Sequence, residues 1–346
     1  MGYYGGWAAY SGFTPDKINA SGLNVINYAF ASIGADLKIT VSDSSIDYSN
    51  FSKLAALKSR YPGLKTVISI GGWDGSGRFS DAALTDSSRA VFAASVVSFI
   101  KTYSFDGVDI DWEYPTGGGL STNVTRSCDR QDFGLLLTAL RQALDAQGIK
   151  DNKHYILSFA GAANSSFASG VGLSGIAKTV DYAFLMTYDM HGGWDKYSDF
   201  NAPLYIPSGT SPQYKVSVDG AVNIYLANGF PANKLIMGVP FYGYAYKVTS
   251  SANGGLWQPF TSCTSVGFDT IVSKYLSDSS FIKSFNTSAQ VPTLFNGSTF
   301  ICYDDQNSIA IKTRYAVSKG LFGVGAWDLS YDRSAKLIGT IKGVLG

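Results

Sequence analysis

Between Phe105 and Pro115 the chain reads Phe-Asp-Gly-Val-Asp-Ile-Asp-Trp-Glu-Tyr-Pro, and no other stretch restricts its fold so strongly. Val108, Ile110 and Trp112 alternate with Asp109, Asp111 and Glu113. That is the period of a β-strand, which sends three carboxyls to one face and three bulky apolar groups to the other. An acidic edge strand that merely deters aggregation has no use for Val, Ile and Trp packed behind it. Carboxyls about 6 to 7 Å apart along a strand cannot all ionise at neutral pH once partly enclosed, so at least one should keep a proton. Glu113 is the candidate: it is the last of the three, and Pro115 is expected to end the strand and leave it at the strand mouth. A carboxylic acid protonated near neutrality is suited to protonating a leaving oxygen.

The rest of the chain supplies the frame. Buried strands are expected at Tyr3 to Trp7, Asn24 to Ile33, Lys65 to Ile70, the acidic stretch itself, His154 to Ala160, Asp181 to Tyr188, Lys234 to Phe241 and Leu321 to Asp328. Helical patterns fall between them, including one from about Ser87 to Tyr103 and one capped by Asp129 and stopped at Gly148, with Leu135, Leu136, Ala139, Leu140 and Leu144 facing inward. Eight strands alternating with helices over 346 residues predict an α/β fold, a (β/α)₈ TIM barrel with active residues at the carboxyl ends of its strands. From 246 to 300 the spacing breaks into turns and short strand-like runs. A small α+β insertion is expected there between strands 7 and 8, with the barrel formed by 1–245 and 301–346.

Composition narrows the chemistry. A net charge of +1 argues against a nucleic-acid partner, and no apolar run is long enough to suggest a membrane span. Aromatic residues make up 14% of the chain and charged ones only 15%, a balance that suits either a surface stacking against neutral sugar rings or, equally, a large aromatic core. Trp7, Trp73, Trp194 and Trp327 fall at or just past predicted strand ends and Trp257 in a Gly-flanked loop, whereas Trp112 reads as core. Cys128, Cys263 and Cys302 have no metal or redox spacing, though a Cys263–Cys302 bridge is possible. With His154 and His191 the only histidines, neither a metal site nor a cofactor is expected. One catalytic unit, acting as a monomer, is anticipated.

Asp106, Asp109, Asp111 and Glu113 form D-x-x-D-x-D-x-E, and here the chain resembles the chitinases of glycoside hydrolase family eighteen. Ser69 to Gly72 is similar to the family's S-x-G-G strand, and Met186 to Asp189 to its M-x-Y-D strand. The resemblance implies hydrolysis of β-1,4 links between N-acetylglucosamine units by a retaining, substrate-assisted route. It makes Glu113 the general acid and base and has Asp111 orient the substrate's acetamido group. Asp109 would share a proton with Asp111, and Tyr188 would donate to the acetamido carbonyl. Asp106 would be structural. Tyr3, Trp7, Phe30, Gly72, Trp73, Tyr114, Met186, Asp189, Tyr242, Trp257 and Trp327 are the expected substrate-binding positions, with Trp327 as the floor beneath the sugar. The partners implied are chitin and its N-acetylglucosamine oligosaccharides. One departure stands out: Tyr244 follows Tyr242-Gly243 where many members carry arginine.

Two other readings share the barrel: an endo-β-N-acetylglucosaminidase acting on N-glycans, and a non-catalytic chitin-binding lectin. The lectin would be expected to lack the acid, and Glu113 is present. Asn19, Asn50, Asn123, Asn164, Asn286 and Asn296 each begin an N-x-[ST] sequon, which fits a secreted, extracellular product. No leader precedes the first strand, so either a leader has been removed or the protein stays inside.

Overall fold

The computed structural model describes residues 1–209, 211 and 213–346. Its strands, in chain order, are β1 Gly2–Gly5, β2 Val25–Ile33, β3 Ile39–Val41, β4 Lys65–Gly71, β5 Gly107–Asp111, β6 Ile156–Ala162, β7 Tyr182–Met186, β8 Leu235–Pro240, β9 Tyr242–Val248, β10 Phe260–Gly267, β11 Ile282–Asn286, β12 Val291–Phe295, β13 Thr299–Cys302 and β14 Gly323–Trp327. Strands β1, β2, β4, β5, β6, β7, β8 and β14 pair in parallel and close through β1 against both β14 and β2. The expected (β/α)₈ barrel is what forms. Short β3 folds back antiparallel on the end of β2.

Each barrel strand is covered on both faces, which is why Val, Ile and Leu run through them with little interruption. In β5, Val108 and Ile110 join the core between barrel and helices, while Asp109 is buried with no exposed surface. Trp112 lies at 2% exposure, stacked on Phe79 at 5.4 Å and meeting Phe133 edge-on at 6.1 Å. Asp106, just before β5, accepts from Thr66 N at 2.9 Å, Lys58 Nζ at 3.0 Å and Lys153 Nζ at 2.8 Å. It fastens the amino end of the strand, far from the carboxyl ends where chemistry is expected.

Several local expectations need correction. Strand β5 ends at Asp111, so Trp112 and Glu113 lie beyond it and Pro115 does not terminate it. The strand stops early because the chain turns: the Asp111 carbonyl accepts Gly72 N–H, and Glu113 N–H goes to a side chain instead of a neighbouring strand. The long helix spans Asp129–Asp151 and runs through the buried Gly148 to a left-handed Asn152. Its inner face carries Phe133, Leu136, Leu137, Leu140 and Leu144, with Leu135 40% exposed. The side chain of Asp129 does not cap that helix; it accepts from Ser80 Oγ and Arg126 N. Asn50 is buried and donates to Gly6 O and Tyr28 Oη, so its sequon is closed to modification.

Between β8 and β14 the chain builds a five-stranded antiparallel sheet in the order β10, β9, β13, β12, β11. It takes in Tyr242 to Cys302, a few residues wider than the 246–300 expected. All three cysteines are free. Cys263 on β10 and Cys302 on β13 sit on opposite sides of β9, and two strand spacings of about 4.8 Å each exceed the reach of about 7 Å between disulfide Cα atoms.

Removing the indole under the acidic strand should be costly. Trp112→Ala is expected to lose about 3–5 kcal/mol by equilibrium urea unfolding, whereas Leu135→Ala should stay within about 0.5 kcal/mol. Equal losses would contradict the packing described.

Candidate active site

The carboxyl ends of the barrel strands open into a cavity of about 800 Å³. Its walls follow from backbone geometry at the ends of β4 and β5. Gly71 has φ +107, and a Cβ there would overlap the Asp111 carbonyl oxygen and the Phe79 ring, so only glycine lets the two strands stay this close. Gly72 then donates its N–H to Asp111 O at 2.9 Å. The Ser76 hydroxyl donates to Gly72 O at 2.8 Å and accepts Glu113 N–H at 2.8 Å, and Asn123 Nδ2 donates to Glu113 O at 3.1 Å. Glu113 thus lies just beyond the strand with its main chain held on both sides and its side chain at the cavity.

The three carboxyls differ in environment. Asp109 is committed to hydroxyls: Oδ2 accepts from Tyr3 at 2.9 Å and Ser69 at 2.8 Å, and Oδ1 from Ser158 at 2.7 Å. Burial raises its pKa, and those hydroxyls oppose the shift. Asp111 is 4% exposed and its Oδ1 has no partner. Burial first, then the charges of Glu113 and Asp109, hold its carboxyl well above the usual range. Glu113 is pushed up to about 7, mainly by burial, with Asp189 and Asp74 adding to the rise and the Tyr114 hydroxyl opposing it. Asp109 is thus held by hydroxyls beneath the cavity, while burial raises the pKa of Asp111 at the strand end and of Glu113 just beyond it. No hydrogen bond joins Asp109 to Asp111 in this arrangement.

Around this row the expected aromatics assemble. Trp327 stacks with Phe30 at 5.7 Å and 26°, meets Trp7 at 6.2 Å, and has Tyr3 packed at 5.4 Å. Trp7, Phe30, Trp73, Tyr114, Met186, Tyr188, Asp189 and Trp327 all line the cavity. Burial, followed by the charges of Asp111, Asp189 and Glu113, raises the pKa of the Tyr188 hydroxyl, so it stays a donor. Asp189 Oδ1 accepts from Tyr242 at 2.5 Å and from Tyr244 at 2.7 Å, so the tyrosine that stands where many family members carry arginine serves as a second neutral phenol donor. Tyr3, Gly72 and Tyr242 act from behind: Tyr3 on Asp109, Gly72 on Asp111 and the Phe30 ring, Tyr242 on Asp189.

Trp257 is not brought to the site. Its indole Nε1 donates to Asp199 Oδ2 at 3.0 Å in the packing between the lobe and the loop after β7. Asp43, Asp74, Asn164, Met190 and Tyr214 also line the cavity and were not anticipated. Asp74 adjoins Trp73 and could have been found by proximity, whereas the others lie in loops without a pattern. Cys128, Asp129 and Asp132 form one cluster of possible metal donors, within 4.8 Å of one another, away from the cavity. Both Asp129 oxygens already accept hydrogen bonds.

The shifted acid has a consequence for stability. An unfolded Glu113 releases its proton near 4.5 while the folded one keeps it to about 7, so the folded state loses stability as pH rises between those values. Glu113→Gln should therefore raise the Tm relative to the unsubstituted chain more at about pH 8 than at about pH 4. A pH-independent difference in calorimetric scans would show that Glu113 titrates normally.

Residues 1–332 match the family model described as glycosyl hydrolases family 18. Chitinase A1 of Niallia circulans is 37% identical across 99% of this chain, which spans 58% of that protein. Mouse chitotriosidase-1 is 32% identical over 92% of this chain and 69% of its own length. Among solved structures, a family 18 N-acetylglucosaminidase from Paenibacillus barengoltzii superposes with a TM-score of 0.90 at 33% identity, covering 99% of this chain and 98% of that one. The group IV chitinase of Ostrinia furnacalis in complex with allosamidin gives 0.91 at 31% identity, covering 99% and 97%.

Proposed function

Because the chain belongs to the glycosyl hydrolases family 18, we propose that it is a chitinase that hydrolyses β-1,4 links between N-acetylglucosamine units with retention of anomeric configuration. The observation that carries this reading is the pairing of Asp111 Oδ1, buried without a partner, with a Glu113 that holds its proton to about 7. A buried acceptor without a donor costs about 1–3 kcal/mol. An acetamido N–H entering the cavity would supply the donor. The chitinase names of the relatives support the same substrate.

In the proposed mechanism Glu113 protonates the glycosidic oxygen as the bond from the anomeric carbon to it breaks, and the bonding electron pair leaves with that oxygen. The acetamido carbonyl oxygen of the same sugar forms the new bond, giving a cyclic oxazolinium ion. Asp111 accepts the acetamido N–H and stabilises the positive charge, and Tyr188 donates to the acetamido oxygen to aim it. Water then attacks the anomeric carbon, gives a proton back to Glu113, and the bond to the acetamido oxygen breaks. Asp109, fixed by three hydroxyls, supplies the charge beneath Asp111 and takes part in its proton exchange. Trp327 forms the floor against the apolar face of the sugar.

The same reading places the protein outside the cell. An exposed sequon at Asn296 in the lobe supports this. Among the described residues, no helix is long and apolar enough to cross a membrane.

A time course on N-acetylglucosamine hexamer with early anomers resolved tests the proposal. The unsubstituted chain should release β-anomers, with kcat/KM falling as pH rises through about 7. Glu113→Gln should lose about 10²- to 10⁴-fold in turnover while still binding the hexamer. Binding without cutting by the unsubstituted chain would favour the lectin reading, and cleavage confined to N-glycans the endoglycosidase one.

A further inference from the structure

Beside Asp109 the barrel interior holds an amide that takes no part in the steps proposed above. Along β2, Ile26 and Tyr28 join the core between barrel and helices, so by alternation Asn27 and Ala29 turn into the barrel itself. Asn27 pairs in register with Tyr3 on β1 and Val67 on β4. It has no exposed surface, and neither its Nδ2 nor its Oδ1 makes a hydrogen bond to any described residue. A buried amide left this way is costly, because both of its polar groups have given up water without replacement. Leucine would fill the same space without that cost.

Asp109 is approached from several strands. Tyr3 of β1, Ser69 of β4 and Ser158 of β6 donate to its oxygens. Asn27 of β2 is near enough to favour its ionised form, Tyr182 of β7 feels its charge, and Asp111 stands two residues along β5. Burial, ahead of the nearby charges, raises the pKa of both tyrosines, so they keep their protons. Within this set Asp111 is the group that can exchange a proton with Asp109. The three hydroxyl hydrogen bonds all deliver a hydrogen to Asp109, which suits a carboxylate. Once Asp109 carries a proton of its own, its O–H needs an acceptor, and Asn27 Oδ1 is uncommitted.

An amide presents a donor and an acceptor on one planar group, and a half-turn about its last bond exchanges them. Such a side chain can serve a carboxyl in both protonation states. We propose that Asn27 is a positioning residue for the reaction: Nδ2 donates to Asp109 while it is ionised, and Oδ1 accepts from it after a proton has passed over from Asp111. In that step the bond from the proton to an Asp111 oxygen breaks and a bond to an Asp109 oxygen forms. Asp111 is left as the carboxylate that meets the acetamido N–H. This inference rests on the function proposed above and adds to it the group that steadies Asp109 through the exchange.

The test compares the unsubstituted chain with three variants on N-acetylglucosamine hexamer. Asn27→Leu keeps the size and removes both amide groups, Asn27→Ala removes them without crowding the barrel, and Asn27→Thr restores one hydroxyl that can donate or accept. In the leucine and alanine variants kcat should fall about tenfold with KM little changed, because Asn27 does not line the cavity. The acid limb of kcat/KM should move to higher pH by about one pH unit, since the Asp109–Asp111 pair takes up its second proton more readily without the Nδ2 donor. The limb at about 7 should stay in place, since it belongs to Glu113. Asn27→Thr should recover part of both effects. The Tm of Asn27→Leu should hold or rise, because an unpartnered polar group gives way to an apolar one. Unchanged kcat and acid limb in the leucine and alanine variants would overturn the proposal, as would a loss of kcat that tracks a fall in Tm without moving the limb. In both of those cases an unsubstituted chain that cuts the hexamer keeps the chitinase reading. An unsubstituted chain that cuts nothing removes that reading and this inference with it.

Discussion

The structure depends on keeping carboxyl groups inside a closed barrel. A parallel barrel fills its interior with side chains and excludes water, so an acidic strand is tolerated only if each acid is dealt with individually. Asp106 is neutralised by two lysines at the amino end. Asp109 is solvated by three hydroxyls drawn from β1, β4 and β6. Asp111 and Glu113, nearer the mouth, have their pKa raised by burial and by neighbouring carboxyl charge. The gradient from paired, through hydrogen-bonded, to raised in pKa runs along one short segment of chain, and it ends at Glu113, where the cavity opens.

Much of this was legible because strand and barrel periodicities are strong signals. Eight apolar runs separated by helical patterns have few ways to pack, and the acidic alternation assigned Asp109 and Asp111 to the interior correctly. The hydroxyl partners Ser69 and Ser158 were not singled out for that role, since a serine inside an apolar run carries no mark of what it will face.

The errors share a cause. Trp257 was placed at the site because exposed tryptophans in loops suggest binding, but a distant Asp199 claims its N–H. The possible Cys263–Cys302 bridge failed because strand order, which no local pattern encodes, puts β9 between them. Leu135 was put on the inner face because a helical stripe leaves its edges ambiguous by one position, and Leu137 occupies the core instead. Asp43 and Tyr214 escaped notice because each reaches the cavity from a loop whose path is set by tertiary packing.

The two phenols on Asp189 bear on how this enzyme could be rebuilt. Tyr242 and Tyr244 belong to β9, the first strand of the lobe, whereas Asp189 follows β7 of the barrel. The lobe is therefore not a detachable appendage. Excising it or exchanging it for another family member's would carry away the donors that orient a wall of the cleft, so any recombination should cut before Tyr242 and after Cys302 and treat Asp189 as part of the transplanted unit.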